Sequence, residues 1–92
     1  MEFITEPQRI VLKDNNKEIG EITWSQAGNQ LMIVDHTVVD EKYTGQGLAR
    51  QLVNHMVDYA REHHQKVLPL CPFTHSIFLK DPDRYRDIWD QR

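Results

Sequence analysis

The feature that most restricts this chain is a strand-like run, Leu31 to Val39, that passes through Lys42-Tyr43-Thr44-Gly45-Gln46-Gly47-Leu48-Ala49 into a long amphipathic stretch. Leu31, Ile33 and Val39 stand at one parity of the run and Met32, Val34 and Val38 at the other. That pattern reads as a central strand covered on both faces. Asp35 and His36 within it then need partners if buried. From about Gln46 to His64, the residues Leu48, Ala49, Leu52, Val53, Met56, Val57 and Ala60 recur at helical spacing and form one apolar stripe. Val67-Leu68-Pro69-Leu70 follows as a short buried strand. A strand, a helix and a strand in that order predict a right-handed crossover joining parallel neighbours.

The flanking segments extend this unit. Arg9 to Lys13 and Lys17 to Gln26 read as strands joined by Asp14-Asn15-Asn16, residues that tolerate left-handed dihedrals. Ala27-Gly28-Asn29 turns the chain again, and a second helix runs from Pro72 or Phe73 to Lys80. Asp81-Pro82 stops it, because the residue before a proline disfavours helical dihedrals. Asp83 to Asp90 is expected to add a last helical turn or two. The fold class is α/β of the α+β kind: a mixed sheet with antiparallel N-terminal hairpins, a strand-helix-strand crossover and a short C-terminal helix. With 92 residues, positions 1–92 are expected to form one domain with one modest core.

Composition removes several function classes. The net charge is −3 and no run of Lys or Arg is long enough to track a phosphate backbone, so nucleic acid is not an expected partner. Cys71 is the single cysteine, which rules out an internal disulfide. The start, Met1-Glu2-Phe3-Ile4-Thr5-Glu6-Pro7, lacks the basic and apolar parts of a signal peptide. No segment approaches the roughly 18 apolar residues of a membrane span. A cytoplasmic protein with no membrane partner is the expectation. The five histidines, His36, His55, His63, His64 and His75, form no pair at convincing zinc spacing, and no metal is expected.

Two glycines spaced by one, between a strand and a helix, let the backbone approach a ligand. The helix start turns unpaired N–H groups and the positive end of its dipole to the same place, an arrangement suited to a pyrophosphate. By itself Gly45-Gln46-Gly47 equally fits a plain tight turn. A dinucleotide-binding turn fits less well, since Arg50 fills the third glycine position and several strands precede the motif.

Lys42, then Gly45 and Gly47, resembles the pyrophosphate-binding motif of the GNAT superfamily of N-acetyltransferases, with Lys42 where a Gln or Arg usually stands. Together with His36-Thr37-Val38-Val39 and Leu70-Cys71-Pro72-Phe73, the string is similar to a family of very small GNAT-like proteins, and the resemblance runs from about Arg9 to Tyr85. It implies a minimal GNAT-like fold that takes acetyl-CoA as cosubstrate. Backbone amides from Thr44 through Gly45, Gln46, Gly47 and Leu48 to Ala49 would hold the pyrophosphate, with Lys42 beside them. Thr37, Val38 and Val39 would pair with the pantetheine arm like an added strand. Pro69 and Pro72 lack N–H groups, which supplies a local reason for the neighbouring strand to splay away.

Cys71 would then lie where the acetyl group arrives, at a helix N-terminus that favours its thiolate. His36 on the facing strand, or His75 one helical turn on, would be its candidate partner. An inert core thiol is the plain alternative. The implied reaction is acyl transfer to an unidentified amine of a protein, peptide or small molecule, either directly or through Cys71. The helices that wall the acceptor site in larger members are missing here, since only Asp14-Asn15-Asn16 joins the two strands concerned. That leaves an open acceptor surface, or a module that binds acetyl-CoA or CoA without turnover. Trp24, Phe73, Phe78, Tyr85 and Trp89 read as core, and Arg50 as solvated surface.

Overall fold

The structure, a computed structural model, describes residues 1–91. Strands β1 (Glu2–Glu6), β2 (Arg9–Asp14), β3 (Lys17–Ala27) and β4 (Leu31–Val39) lead through a 3-10 turn at Glu41–Tyr43 into α1 (Leu48–Glu62). Strand β5 (Lys66–Pro69) and helices α2 (Pro72–Lys80) and α3 (Pro82–Tyr85) complete the order. The sheet runs β1-β2-β3-β4-β5, antiparallel except for the parallel β4–β5 pair. Among the described residues no helix is long and apolar enough to cross a membrane.

Turn chemistry explains the hairpins. Asn15 and Asn16 both take positive φ, 52° and 66°, as a two-residue loop matched to strand twist requires. Strand β1 was not among the expected elements. It pairs with β2 across Pro7-Gln8, a loop without the Asn-Gly or Asp-Gly signature, and Gln8 takes φ 60°. Beyond its ladder with β2, β1 is fixed to the helix layer by Phe3, which stacks on His55 of α1 with ring centroids 3.9 Å apart.

The stripe on α1 is buried as its periodicity predicts: Leu48, Leu52, Val53, Met56, Val57 and Ala60 are all inside. They meet Ile10, Leu12, Ile22, Trp24, Met32, Val34 and Val67 of the sheet in one cluster, joined by Ile77 and Phe78 of α2 and by Tyr85 and Ile88. Gly20 allows this approach, for a Cβ there would sit 3.1 Å from the Val38 carbonyl oxygen and 3.3 Å from Leu52 Cδ1. Ile88 and Asp90 run beside β5, with Val67 N–H donating to Ile88 O and Asp90 N–H to Val67 O.

One expectation about β4 is corrected. Its two-parity apolar pattern does not mean burial on both faces. The register against β3 shifts where Thr23 faces His36 but Trp24 faces Val34, which leaves Asp35 as the extra residue of a bulge. Before the bulge the even residues Met32 and Val34 face the core; after it, the odd residues Thr37 and Val39 do. Val38 is 51% exposed, and Asp35 and His36 are exposed too, so neither needs a buried partner. On that outer face Arg9 bridges Glu6, Glu18 and Glu21, and Ser25 Oγ donates to Asp35.

Candidate functional site

After β4 the backbone is held by its own polar groups. The Asp40 carboxylate accepts from Lys42 N–H at 2.9 Å, and Tyr43 N–H donates to the Asp40 carbonyl at 2.8 Å. Thr44 uses both its N–H and its hydroxyl on the Glu41 carbonyl. Tyr43 Oη donates to Asp14 at 2.9 Å, which ties the turn to the first hairpin; this hydrogen bond and partial burial push the phenol's pKa up. Gly45 and Gly47 then take φ +82° and +75°, a left-handed region that costs any L side chain.

Helix α1 begins at Leu48 and its first internal bond runs from Gln51 N–H to Gly47 O. Among the described residues no protein group takes the amides of Gly45 to Arg50, no side chain caps the helix, and its first turn carries no acidic residue. The positive end of the dipole is thus neither paired nor offset. These amides border a cleft of about 320 Å³, lined by Val39, the turn on both sides of Gln46, Arg50 and Phe73. The Thr44 N–H, expected to join the row, is spent on Glu41, so the free amides start at Gly45. Lys42 and Gln46 do not line the cleft, and Val38 turns to the opposite face of the sheet. Arg50 and Phe73, read from sequence as solvent surface and core, both border it, and Phe73 is 38% exposed.

From this cleft an unpaired strand edge leads inward. The β4–β5 ladder ends at Val34 opposite Pro69, and the N–H groups of Leu70 and Cys71 both close on Val34 O at 3.1 and 3.0 Å. Prolines 69 and 72 bring no N–H to prolong it. The chain turns into α2, and Asp35 to Val39 keep one edge without a strand partner.

Cys71 sits where β5 has left β4. It is the N-cap residue of α2, with Pro72 in the first turn, and it is 4% exposed. Its thiol donates to Thr37 Oγ1 at 3.6 Å, and Thr37 shares a face of β4 with Val39 at the cleft. Burial raises the thiol's pKa, but the Thr74 amide, the Thr37 and Thr74 hydroxyls and the Phe73 amide outweigh it and hold the pKa below its ordinary value. An N-cap oxygen would accept from the same two amides.

The expected contact between Cys71 and His36 is not made. The bulge at Asp35 carries His36 to the outer face, where Nδ1 lies 3.4 Å from Thr23 Oγ1 and Nε2 lies 3.3 Å from Glu21. There burial works to raise the Glu21 pKa, while hydrogen bonds from His36 and Arg9 lower it, and the balance is a lowered value. His75 meets Trp89 edge-on instead of turning to the thiol. Tyr85 is buried against Phe78 with its hydroxyl directed to Asn54, in the core and away from the cleft lining. Thr37 and Thr74 were not expected as side-chain partners of Cys71. The only sequence signal was a Thr two residues before Val39 and another three past the cysteine.

A strand edge opened by a splayed neighbour, beside a free-amide turn at a helix start, is the arrangement of a GNAT-like fold, and the comparisons agree on that fold. A family model described as GCN5-related N-acetyl-transferase matches residues 9–88, and the chain belongs to that family. It is similar to a GCN5-like protein of Staphylococcus aureus solved by NMR, with 28% identity over 99% of this chain and 89% of that one, at TM-score 0.75. It is also similar to a GNAT family N-acetyltransferase of Escherichia coli crystallised with CoA: 35% identity, 76% of this chain, TM-score 0.66. The match spans 43% of that enzyme, less than half its length. An N-acetylglutamate synthase of Neisseria gonorrhoeae, in complex with coenzyme A, shares the fold at 17% identity over 79% of this chain and 18% of that one, TM-score 0.65. No curated protein matches this chain.

Proposed function

We propose that this chain binds acetyl-CoA along β4 and is an acetyltransferase whose Cys71 receives the acetyl group before an amine acceptor does. The observation that carries the reading is the row of unclaimed amides from Gly45 to Arg50, continuous through Val39 and Thr37 with the Cys71 thiol. The residues suit the ligand. The amides and Arg50 would hold the diphosphate, and the bare edge of Thr37 to Val39 would accept the amide-bearing pantetheine arm as an extra strand.

Cys71 favours the stepwise route. A buried thiol held toward its ionised form is a competent nucleophile for a thioester. Direct transfer needs a base near the incoming amine, and His36, the expected base, stands on the other face. No helix lies among the N-terminal strands, so nothing there walls in an acceptor, and the amine of a protein or peptide suits such an open surface better than an enclosed small molecule.

Intact-protein mass measurement after brief exposure to acetyl-CoA tests this. The wild type should gain one acetyl group on Cys71, and Cys71→Ala should lose that label and turnover while still binding CoA. Full amine acetylation by Cys71→Ala would mean direct transfer. Tight binding with neither label nor product, across an acceptor screen, would make the chain a carrier or sensor of acetyl-CoA.

A further inference from the structure

We propose that Thr37 and Thr74 are the positioning residues of the Cys71 nucleophile, their hydroxyls completing, with the Phe73 and Thr74 amides, an anion hole around Sγ that does the work usually given to a histidine. The inference deepens the proposed function and rests on its reading of Cys71 as acyl acceptor.

Two independent observations meet at this point. The first is the N-cap position of Cys71. Pro72 contributes no N–H and His75 N–H is already bonded to the Cys71 carbonyl, so the amides that remain at the start of α2 are those of Phe73 and Thr74. No side chain caps them by a hydrogen bond, and Cys71, the N-cap residue, carries its Sγ at that end of the helix. The second is Thr74 itself. It is the one polar residue fully buried among the described residues, and its Oγ1 has no hydrogen-bond partner. An unpaired buried hydroxyl costs stability. Thr74 follows Cys71 by three residues in the first turn of α2 and its hydroxyl favours the ionised form of the thiol, as does Thr37 Oγ1, which accepts from Sγ at 3.6 Å. The cost is recovered when Sγ carries charge, because a thiolate accepts from every donor around it and a hydroxyl can rotate to supply one. No charged side chain is among the leading groups that favour the thiolate, and His36 and His75, the histidines expected beside the thiol, are engaged elsewhere.

The chemical step balances without a protein base. Cys71 ionises and gives its proton to solvent. Sγ then bonds to the acetyl carbonyl carbon, the bond from that carbon to the CoA sulfur breaks, and the departing sulfur keeps the electron pair. A solvent proton neutralises it. Thr37 and Thr74 donate hydrogen bonds throughout and keep their own protons.

The test titrates the single thiol of the CoA-free protein, by thiolate ultraviolet absorbance and by the pH dependence of its alkylation. Thr74→Val keeps shape and loses the hydroxyl, so its titration midpoint should rise by about one pH unit, in line with the loss of a hydrogen bond to a charged group. Thr37→Val should shift in the same direction. Thr74→Ser should titrate with the wild type, an outcome a packing role would not give. The melting temperature of Thr74→Val should be no lower than that of the wild type, since the orphaned hydroxyl is gone. A Thr74→Val protein that melts normally and titrates with the wild type overturns the proposal, as does a Thr74→Ser protein that shifts as far as Thr74→Val. Because no CoA is present, these results stand apart from cofactor binding. Shifted midpoints in a protein that never takes up acetyl would uphold the anion hole and reject the acyl-acceptor reading.

Discussion

Valine in place of Gly45 is expected to weaken CoA binding by at least about 100-fold while leaving the domain folded. The φ of +82° is a conformation that a β-branched residue resists at roughly 1–2 kcal/mol or more. An added Cβ meets nothing within 4 Å, so the core has no objection and the penalty falls on the turn. Relaxing that strain rotates the Gly45 and Gly47 amides off the cleft. Each amide lost to a charged diphosphate is worth about 1.5–3 kcal/mol, and two such losses exceed the ~2.7 kcal/mol of a 100-fold change. The effect is easily read by thermal shift. CoA at a hundred times its dissociation constant stabilises the wild type by ~2.7 kcal/mol, or roughly 11–22 °C for a domain of this size. At the same CoA concentration the variant should show almost none of that rise. A variant that keeps the full rise would remove the turn from the binding site.

The second large effect is on stability. Phe78→Ala should cost about 3–5 kcal/mol, the usual range for truncating a buried phenylalanine. Phe78 is completely buried, stacked on Tyr85 with ring centroids at 4.6 Å and edge-on to Trp89 at 5.5 Å. It is the pin that holds α2 and the segment after it to the sheet. At about 0.05–0.15 kcal/mol per residue a chain this short has only some 5–14 kcal/mol of stability. Urea unfolding should show the midpoint falling by about a fifth or more, with Cys71 losing its reactivity as the start of α2 loosens. A loss under about 1 kcal/mol would mean that α2 is anchored by something else.

Much of this architecture could be read before any coordinates. The α1 stripe, the Asn15-Asn16 hairpin and the proline-limited β5 each follow from one local rule, and each is where that rule puts it. Two features could not be read. Strand β1 is five residues with glutamate at both ends, joined by Pro7-Gln8, and neither its pattern nor its turn stands out until Phe3 finds His55. The bulge at Asp35 is invisible to a period-two reading, which sees only apolar residues at both parities and infers two covered faces. That misreading placed His36 beside Cys71, because one extra residue reverses every side chain beyond it. The site divides the same way. The glycine turn is written in residue type, but the two threonines at Cys71 meet it from separate elements, and cysteine is not among the usual capping residues that would flag an N-cap.

The claim beneath all of this is that the unclaimed amides from Gly45 to Arg50 receive a diphosphate. Titrating isotope-labelled protein with CoA and following its backbone amide resonances tests it directly. The account predicts the largest shifts at Gly45, Gln46, Gly47, Leu48, Ala49 and Arg50, with a second set along Thr37 to Val39. Saturable CoA binding that moves other amides and leaves Gly45 to Arg50 in place would contradict it.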